Sequence, residues 1–234
     1  MASVAIITAR GGSKRIPRKN ARPFMGKPMV CYAVKAAIGS RLFDEVMVST
    51  DDAEIAEIAC AAGAQVPFMR SAATANDFAT TRDVLLEVVE EYAKRGKKFD
   101  EFACIYPCVP LLTADILVAA HGKFVESNAD SLMPVVRFSF PVQRAVRIDG
   151  NGYIVYREPE HVLKRSQDLE PAYHDVGMFY FYKTASFLSG CCRIAPFVMP
   201  EECVQDIDTL EDWRIAEMKF KLLHAESGNV QDRS

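Results

Sequence analysis

Two regimes of hydrophobic patterning divide the chain. In the first half, short β-branched apolar runs alternate with stretches of helical spacing. Residues 4–8 (VAIIT), 45–49 (EVMVS), 65–68 and 101–106 predict strands. Residues 28–41 carry Val30, Val34, Ala37 and Ile38 on one helical face, and residues 80–94 place Val84, Leu85, Val88 and Tyr92 likewise. Residues 52–62 predict a helix stopped by Gly63, and residues 113–126 one capped by Thr113. Strands separated by helices of 10–15 residues imply βαβ units and a mainly parallel sheet, which binds ligands at the carboxyl ends of its strands.

The second half is richer in strand-like runs, at 131–138, 145–148, 153–157, 176–182 and 194–199, with a D-G-N-G turn at 149–152. Residues 158–172 are polar and irregular, residues 209–224 predict a terminal helix, and residues 226–234 a polar, disordered tail. The expected organisation is one α/β domain over 1–225, a mainly parallel sheet flanked by helices, with a small β-rich insert at about 135–172.

Composition narrows the classes. At 234 residues, 50% apolar and 25% charged, the chain is ordinary globular protein rather than fibre, coiled coil or disordered polymer. A net charge of −3 argues against bulk nucleic-acid binding. No apolar run approaches the roughly 20 residues of a membrane span, and the N-terminus lacks the pattern of a signal peptide. Seven cysteines without a C-x-x-C pair, two of them adjacent at Cys191 and Cys192, form neither a disulfide framework nor a zinc site. The expectation is a cytoplasmic protein with no membrane or nucleic-acid partner.

The most informative segment is residues 10–27. It holds Arg10, Lys14, Arg15, Arg18, Lys19, Arg22 and Lys27 without one acidic residue, and starts where the first strand ends. Gly11 and Gly12 let backbone N–H groups approach an anion, Ser13 can donate to a phosphate, and Lys14 and Lys19 can neutralise a polyphosphate. Neither the Walker spacing nor G-x-G-x-x-G is present. A solvated basic loop, or an RNA-binding one, is the competing reading. Near the other end, Asp206 and Asp208 are two apart, so on an extended segment both carboxylates face one way. They suit a magnesium ion completed by substrate phosphates, or a cap for the terminal helix, and the two roles can coexist.

The run from Ala9 to Asn20 resembles the A-R-x-x-S-K-x-(I/L)-x-x-K-N loop of the CMP-sialic acid synthetase family of cytidylyltransferases. Pro28, Val48-Ser49-Thr50-Asp51, Arg70 and Asp206-Ile207-Asp208-Thr209 extend the resemblance to about residue 225. It implies a Rossmann-like nucleotidyltransferase fold, CTP and a nonulosonic acid as substrates, Mg²⁺ or another divalent cation, and a homodimer. It further implies that Arg10, Lys19, Asp206 and Asp208 are catalytic and that Asp206 and Asp208 hold the metal. Ala9, Arg10, Gly11, Ser13, Lys14, Lys19, Asn20, Arg70 and Thr81 are then the nucleotide site.

Where sialic acid enzymes usually carry L-Q-P-T-S-P-L-R, residues 105–112 read I-Y-P-C-V-P-L-L, and Val176-Gly177 replaces an Asn-Gly pair. Together with residues 165–168 and 171–177, this resembles the pseudaminic acid branch of the family. The sugar-site candidates are Tyr106, Arg165, Gln167, Asp168, His174 and Asp175. Arg165 is the first choice for the sugar carboxylate, with Lys164 or Arg144 as substitutes. The insert, with Phe138, Phe140 and Val142, would reach a second subunit or fold over its own sugar site. The F-Y-F-Y run at 179–182 reads as core and interface, and Cys108 as structural.

Overall fold

The computed structural model describes residues 1–190 and 193–231. Cys191 and Cys192, and residues 232–234 of the expected tail, lie outside them. Strands are β1 (Ser3–Thr8), β2 (Pro23–Phe24), β3 (Lys27–Pro28), β4 (Glu45–Ser49), β5 (Glu101–Ile105), β6 (Ser131–Arg137), β7 (Val146–Ile148), β8 (Ile154–Tyr156), β9 (Tyr173–Asp175), β10 (Phe179–Lys183) and β11 (Ile194–Val198). Helices are α1 (Val30–Ser40), α2 (Ala53–Ala61), α3 (Ala72–Ala75), α4 (Thr81–Lys94), α5 (Ala114–Ser127), α6 (Thr184–Ser189) and α7 (Leu210–Gln231).

The main sheet has the order β11-β6-β10-β5-β1-β4, with β9 paired to β6. Strands β4, β1 and β5 are mutually parallel; β10 runs against both β5 and β6; β6 and β11 are parallel. Five strands therefore share one direction, and β9 and β10 oppose them. Alternation along β1 feeds two cores. Ala5 and Ile7 join the layer containing residues of α1, α2 and α5. Val4 and Ile6 face Leu85, Val88 and Tyr92 of α4 and Phe187 of α6. Thr80 closes a reciprocal capping box with Asp83 at the start of α4.

Several expected elements change. The strand at 65–68 reduces to one bridge, Met47 to Gln65, because Pro67 has no N–H to extend a ladder. The first helix starts at Val30 rather than residue 28. Lys27 and Pro28 instead pair with Phe24 and Pro23 across Met25 and Gly26, whose φ angles of 43° and 84° match a tight hairpin turn. The strand expected over 176–182 begins only at Phe179 and runs to Lys183 as β10, because the chain turns at Gly177, φ +62°; residues 173–175 ahead of that turn form the separate, unexpected strand β9. The terminal helix runs to Gln231, so the expected tail begins inside it.

A third cluster positions the site. Ile16 of the basic loop, Phe24, Met29, Ile207, Trp213 and Ala216 pack together, with Tyr32 and Phe220 against them. The rings of Phe24 and Trp213 are 5.4 Å apart. This apolar knot ties the basic loop to the Asp206–Asp208 segment, nearly 200 residues later.

Candidate active site

Beyond the carboxyl ends of β1, β4 and β5 lies a cleft of about 450 Å³. Arg10, Ser13, Lys19, Asn20, Arg70, Thr81, Asp206 and Asp208 all line it. Buried polar groups set its floor. Asn20 is 3% exposed and donates through Nδ2 to the Arg10 carbonyl at 2.7 Å. The Cys108 thiol donates to Asn20 Oδ1 at 3.1 Å. Arg70 donates from Nε to Ser49 Oγ at 3.1 Å and from Nη2 to the Ser49 carbonyl at 2.7 Å. Ala9 is fully buried beneath the loop, and Gly11 donates its N–H to Asp51 Oδ1 at 2.9 Å. A Cβ on Gly11 would come within 2.7 Å of Asp52 Oδ2, so this approach requires glycine.

Every loop cation in the cleft has a carboxylate. Arg10 pairs with Asp77 at 2.9 Å, and Lys14 also pairs with Asp77. Those two cations, Lys14 foremost, hold the Asp77 carboxyl below the usual range. Arg15 reaches Asp208 Oδ2 at 2.6 Å, and Lys19 lies 3.7 Å from Asp208 Oδ1 while donating to the Ile207 carbonyl at 2.5 Å. Arg18 binds Asp52 and the exposed Glu54 of α2.

Ile207 is 1% exposed and turned into the apolar knot, which leaves Asp206 and Asp208 on the cleft side. Asp206 is raised above the usual carboxylate range, first by loss of solvent and then by the charge of Asp208. Among the described residues Asp206 forms no salt bridge, though Lys19 is near enough to favour its charge; two carboxylates side by side in a cleft of nucleotide size are a donor set that fits a hard divalent ion. Burial pushes the Cys108 thiol up to about 12, which keeps it protonated and agrees with its structural reading.

A second cavity of about 530 Å³ adjoins the first, sharing Tyr106, Gly177 and Asp206 with it. His174, Asp175, Tyr180, Gln205 and Lys219 are among the other lining residues. The Tyr180 hydroxyl donates to Asp175 Oδ2 at 2.7 Å, and the Gly177 N–H donates to Asp175 Oδ1 at 2.9 Å. Tyr106, whose hydroxyl is 3.2 Å from Thr81 Oγ1, stands between the cavities. Its N–H donates to the Met178 carbonyl at 2.8 Å. Burial raises the phenols of both Tyr106 and Tyr180.

Residues 4–188 match the family model described as Cytidylyltransferase. The chain is 39% identical over 228 residues to the pseudaminic acid cytidylyltransferase of Campylobacter jejuni (serotype O:2), covering 96% of this chain and 98% of that one. It belongs to the cytidylyltransferase family. The cytidylyltransferase is also 28% identical over 229 residues to the CMP-N,N'-diacetyllegionaminic acid synthase of Legionella pneumophila, covering 95% and 97% of the two chains. A solved CMP:2-keto-3-deoxy-manno-octonic acid synthetase complexed with CTP shares its fold, with TM-score 0.69 at 19% identity over 97% of this chain and 100% of that one.

Against this family, the sequence-based site divides in two. Of the nucleotide residues, Arg10, Ser13, Lys19, Asn20, Arg70 and Thr81 line one cleft with Asp206 and Asp208, whereas Ala9, Gly11 and Lys14 are not among its lining residues; Tyr106, His174 and Asp175 line the cavity beside it. Gln167 lines a separate hollow of about 490 Å³ that meets the second cavity at Val136 and Glu201. Arg165 and Asp168 pair with each other at 2.9 Å on the exposed surface. Arg144 donates to Ser166 Oγ at 3.2 Å and to the Lys164 carbonyl. Sequence reasoning missed Asp77, Lys219 and Tyr180. Asp77 and Lys219 carry no local motif, and Tyr180 was absorbed in an apolar strand pattern.

Proposed function

We propose that this cytidylyltransferase activates a nine-carbon 2-keto sugar acid, pseudaminic acid, by joining it to CMP from CTP with release of pyrophosphate. What carries this reading is the near full-length 39% identity to a pseudaminic acid cytidylyltransferase, together with a cation-rich cleft adjoining a second cavity through Tyr106 and Asp206. The sugar's anomeric oxygen bonds to the α-phosphorus, its proton passes to solvent or a neighbouring base, and the bond to the bridging oxygen breaks with its electron pair on pyrophosphate. Such transfers depend on positioning and charge neutralisation. Arg10, Ser13, Lys14 and Lys19 hold the phosphates of CTP, with Asn20, Arg70 and Thr81 toward the nucleoside. Tyr106, His174 and Asp175 face the sugar, and Gln167 lines the hollow beyond it. Asp206 and Asp208 hold Mg²⁺, which when bound neutralises phosphate charge and polarises the α-phosphate.

Dimerisation belongs to the same proposal. The β7–β8 hairpin exposes Ile148, Tyr153 and Ile154 at 74%, 72% and 67%, and Phe140 is 84% exposed. Apolar patches of this kind fit a second copy of the chain. No helix among the described residues is long and apolar enough to cross a membrane, and we place the reaction in the cytoplasm, where CTP is made.

Pyrophosphate release with CTP and Mg²⁺ across a panel of nonulosonic acids tests the reading. Release with pseudaminic acid alone is expected. Release only with a sialic, legionaminic or deoxyoctulosonic acid keeps the chemistry and discards the substrate. No release by folded protein that still binds CTP overturns the reaction. Light scattering of the full chain tests the dimer.

A further inference from the structure

The substrate is an acid, yet the cavity assigned to it is lined by Asp175, Glu201 and Asp206. A free carboxylate entering among three others needs a cation to receive it. Of the lining residues, Lys219 is the one lysine or arginine. We propose that Lys219 binds the sugar's carboxylate, a role that rests on the reaction proposed above.

Its hydrogen bonding supports this. Lys219 Nζ donates to the Glu201 carbonyl at 3.0 Å and to the Val204 carbonyl at 2.6 Å. Both acceptors are neutral, and among the described residues Lys219 forms no salt bridge, unlike Arg10, Lys14, Arg15 and Lys19 of the basic loop. An ammonium has three N–H donors, so two hold the group in place and the third is free for an anion. The side chain rises from α7 one helix turn and more beyond Trp213, whose packing in the apolar knot fixes that helix against the basic loop.

The chemistry of the substrate selects the same place. In a 2-keto sugar acid the carboxylate sits on the anomeric carbon, next to the hydroxyl that attacks phosphorus. The group that reads it must therefore lie close to the reacting end. Lys219 shares its cavity with Asp206, which also lines the nucleotide cleft. Arg165 has a side chain 74% exposed and already paired with Asp168.

The test compares pseudaminic acid with its methyl ester, which keeps the ring and removes the charge. In the wild-type enzyme kcat/KM should favour acid over ester by about 10- to 100-fold, the scale of one hydrogen bond to a charged group. In Lys219→Met that preference should fall to about unity, with the KM for CTP unchanged, while Lys219→Arg retains much of it. A Lys219→Met enzyme that loses acid and ester turnover equally, keeping the wild-type preference, would overturn the proposal and leave the lysine as a tie for the 201–204 turn. Should wild-type enzyme release no pyrophosphate with pseudaminic acid while binding CTP, the reaction itself falls first, and this assignment with it.

Discussion

The two adjoining cavities solve opposite problems. At the nucleotide cleft the cations of the basic loop are held by carboxylates, Arg10 and Lys14 by Asp77 and Arg15 and Lys19 by Asp208, while Arg70 is held by Ser49. In the second cavity the fixed charges are mostly carboxylates, and the partners given to Asp175 are neutral donors, Tyr180 and the Gly177 N–H. Exposed ion pairs contribute little, so a polyphosphate can displace Asp77 from its cations at small cost. A carboxylate braced by a hydroxyl and an amide stays where it is, and offers fixed acceptors to sugar hydroxyls. On the proposed reading, one cavity exchanges anions and the other reads the shape of the sugar.

The contrast can be broken most severely at Asp208. Asp208→Asn should cut turnover by at least about 100-fold, the scale of losing one preorganised charge contact to a transition state, with the thermal midpoint preserved. Near-normal turnover would remove Asp208 from the metal and phosphate machinery. Lys19→Ala comes next. It should raise the KM for CTP about tenfold or more while the KM for sugar holds, as expected for a charged hydrogen-bond donor; an unchanged KM for CTP takes Lys19 out of the phosphate site.

Asp77→Asn should go the other way. If Asp77 only occupies cations that the polyphosphate needs, CTP should bind a few-fold more tightly without it. Calorimetric titration showing weaker binding would mean that Asp77 instead orders the loop for the nucleotide. The smallest effect concerns Asp52, held below the usual carboxylate range chiefly by its hydrogen bond to Arg18. A lowered folded value contributes stability above the ordinary aspartate value of 3.8 and loses it as pH falls through the lowered one. Asp52→Asn, which keeps the cap on α2, should thus cost up to about 1 kcal/mol at neutral pH, and the gap should close in acid. A gap that persisted unchanged at low pH would show that the charge of Asp52 is not its source.

Much of the nucleotide half could be read directly. Residues 4–8 and 45–49 are buried β-branched runs, Thr80 and Thr113 announce their helices, and the loop from Ala9 to Asn20 is contiguous, so its chemistry is concentrated in one stretch. Asp206 and Asp208 were legible because strand alternation fixes their relation. The second cavity was only partly so, since it is assembled from separate places: Tyr106 after β5 and His174 and Asp175 on β9 were read from the family resemblance, but Tyr180 on β10 and Lys219 on α7 were not. The Asp77 contacts join residues more than 60 positions apart, and no local period encodes such a pair. Gly177 could have warned that the strand expected from 176 would start later, but a glycine near the head of an apolar run does not say that residues 173–175 before it also pair.

The reversed strand β10 also bears on how such an enzyme can change its diet. Because β10 runs against β5, with Phe179 opposite Ile105, the residues entering β10 stand at the same sheet edge as those leaving β5. In the segment leading into β10, Val176 and Met178 are buried in the core, while Asp175 faces the second cavity and the Arg10–Asn20 loop is borne by a different strand, β1. Under the proposed reading, Asp175 at the approach to this one backward strand can be exchanged for another sugar contact without a change to the loop that holds the nucleotide.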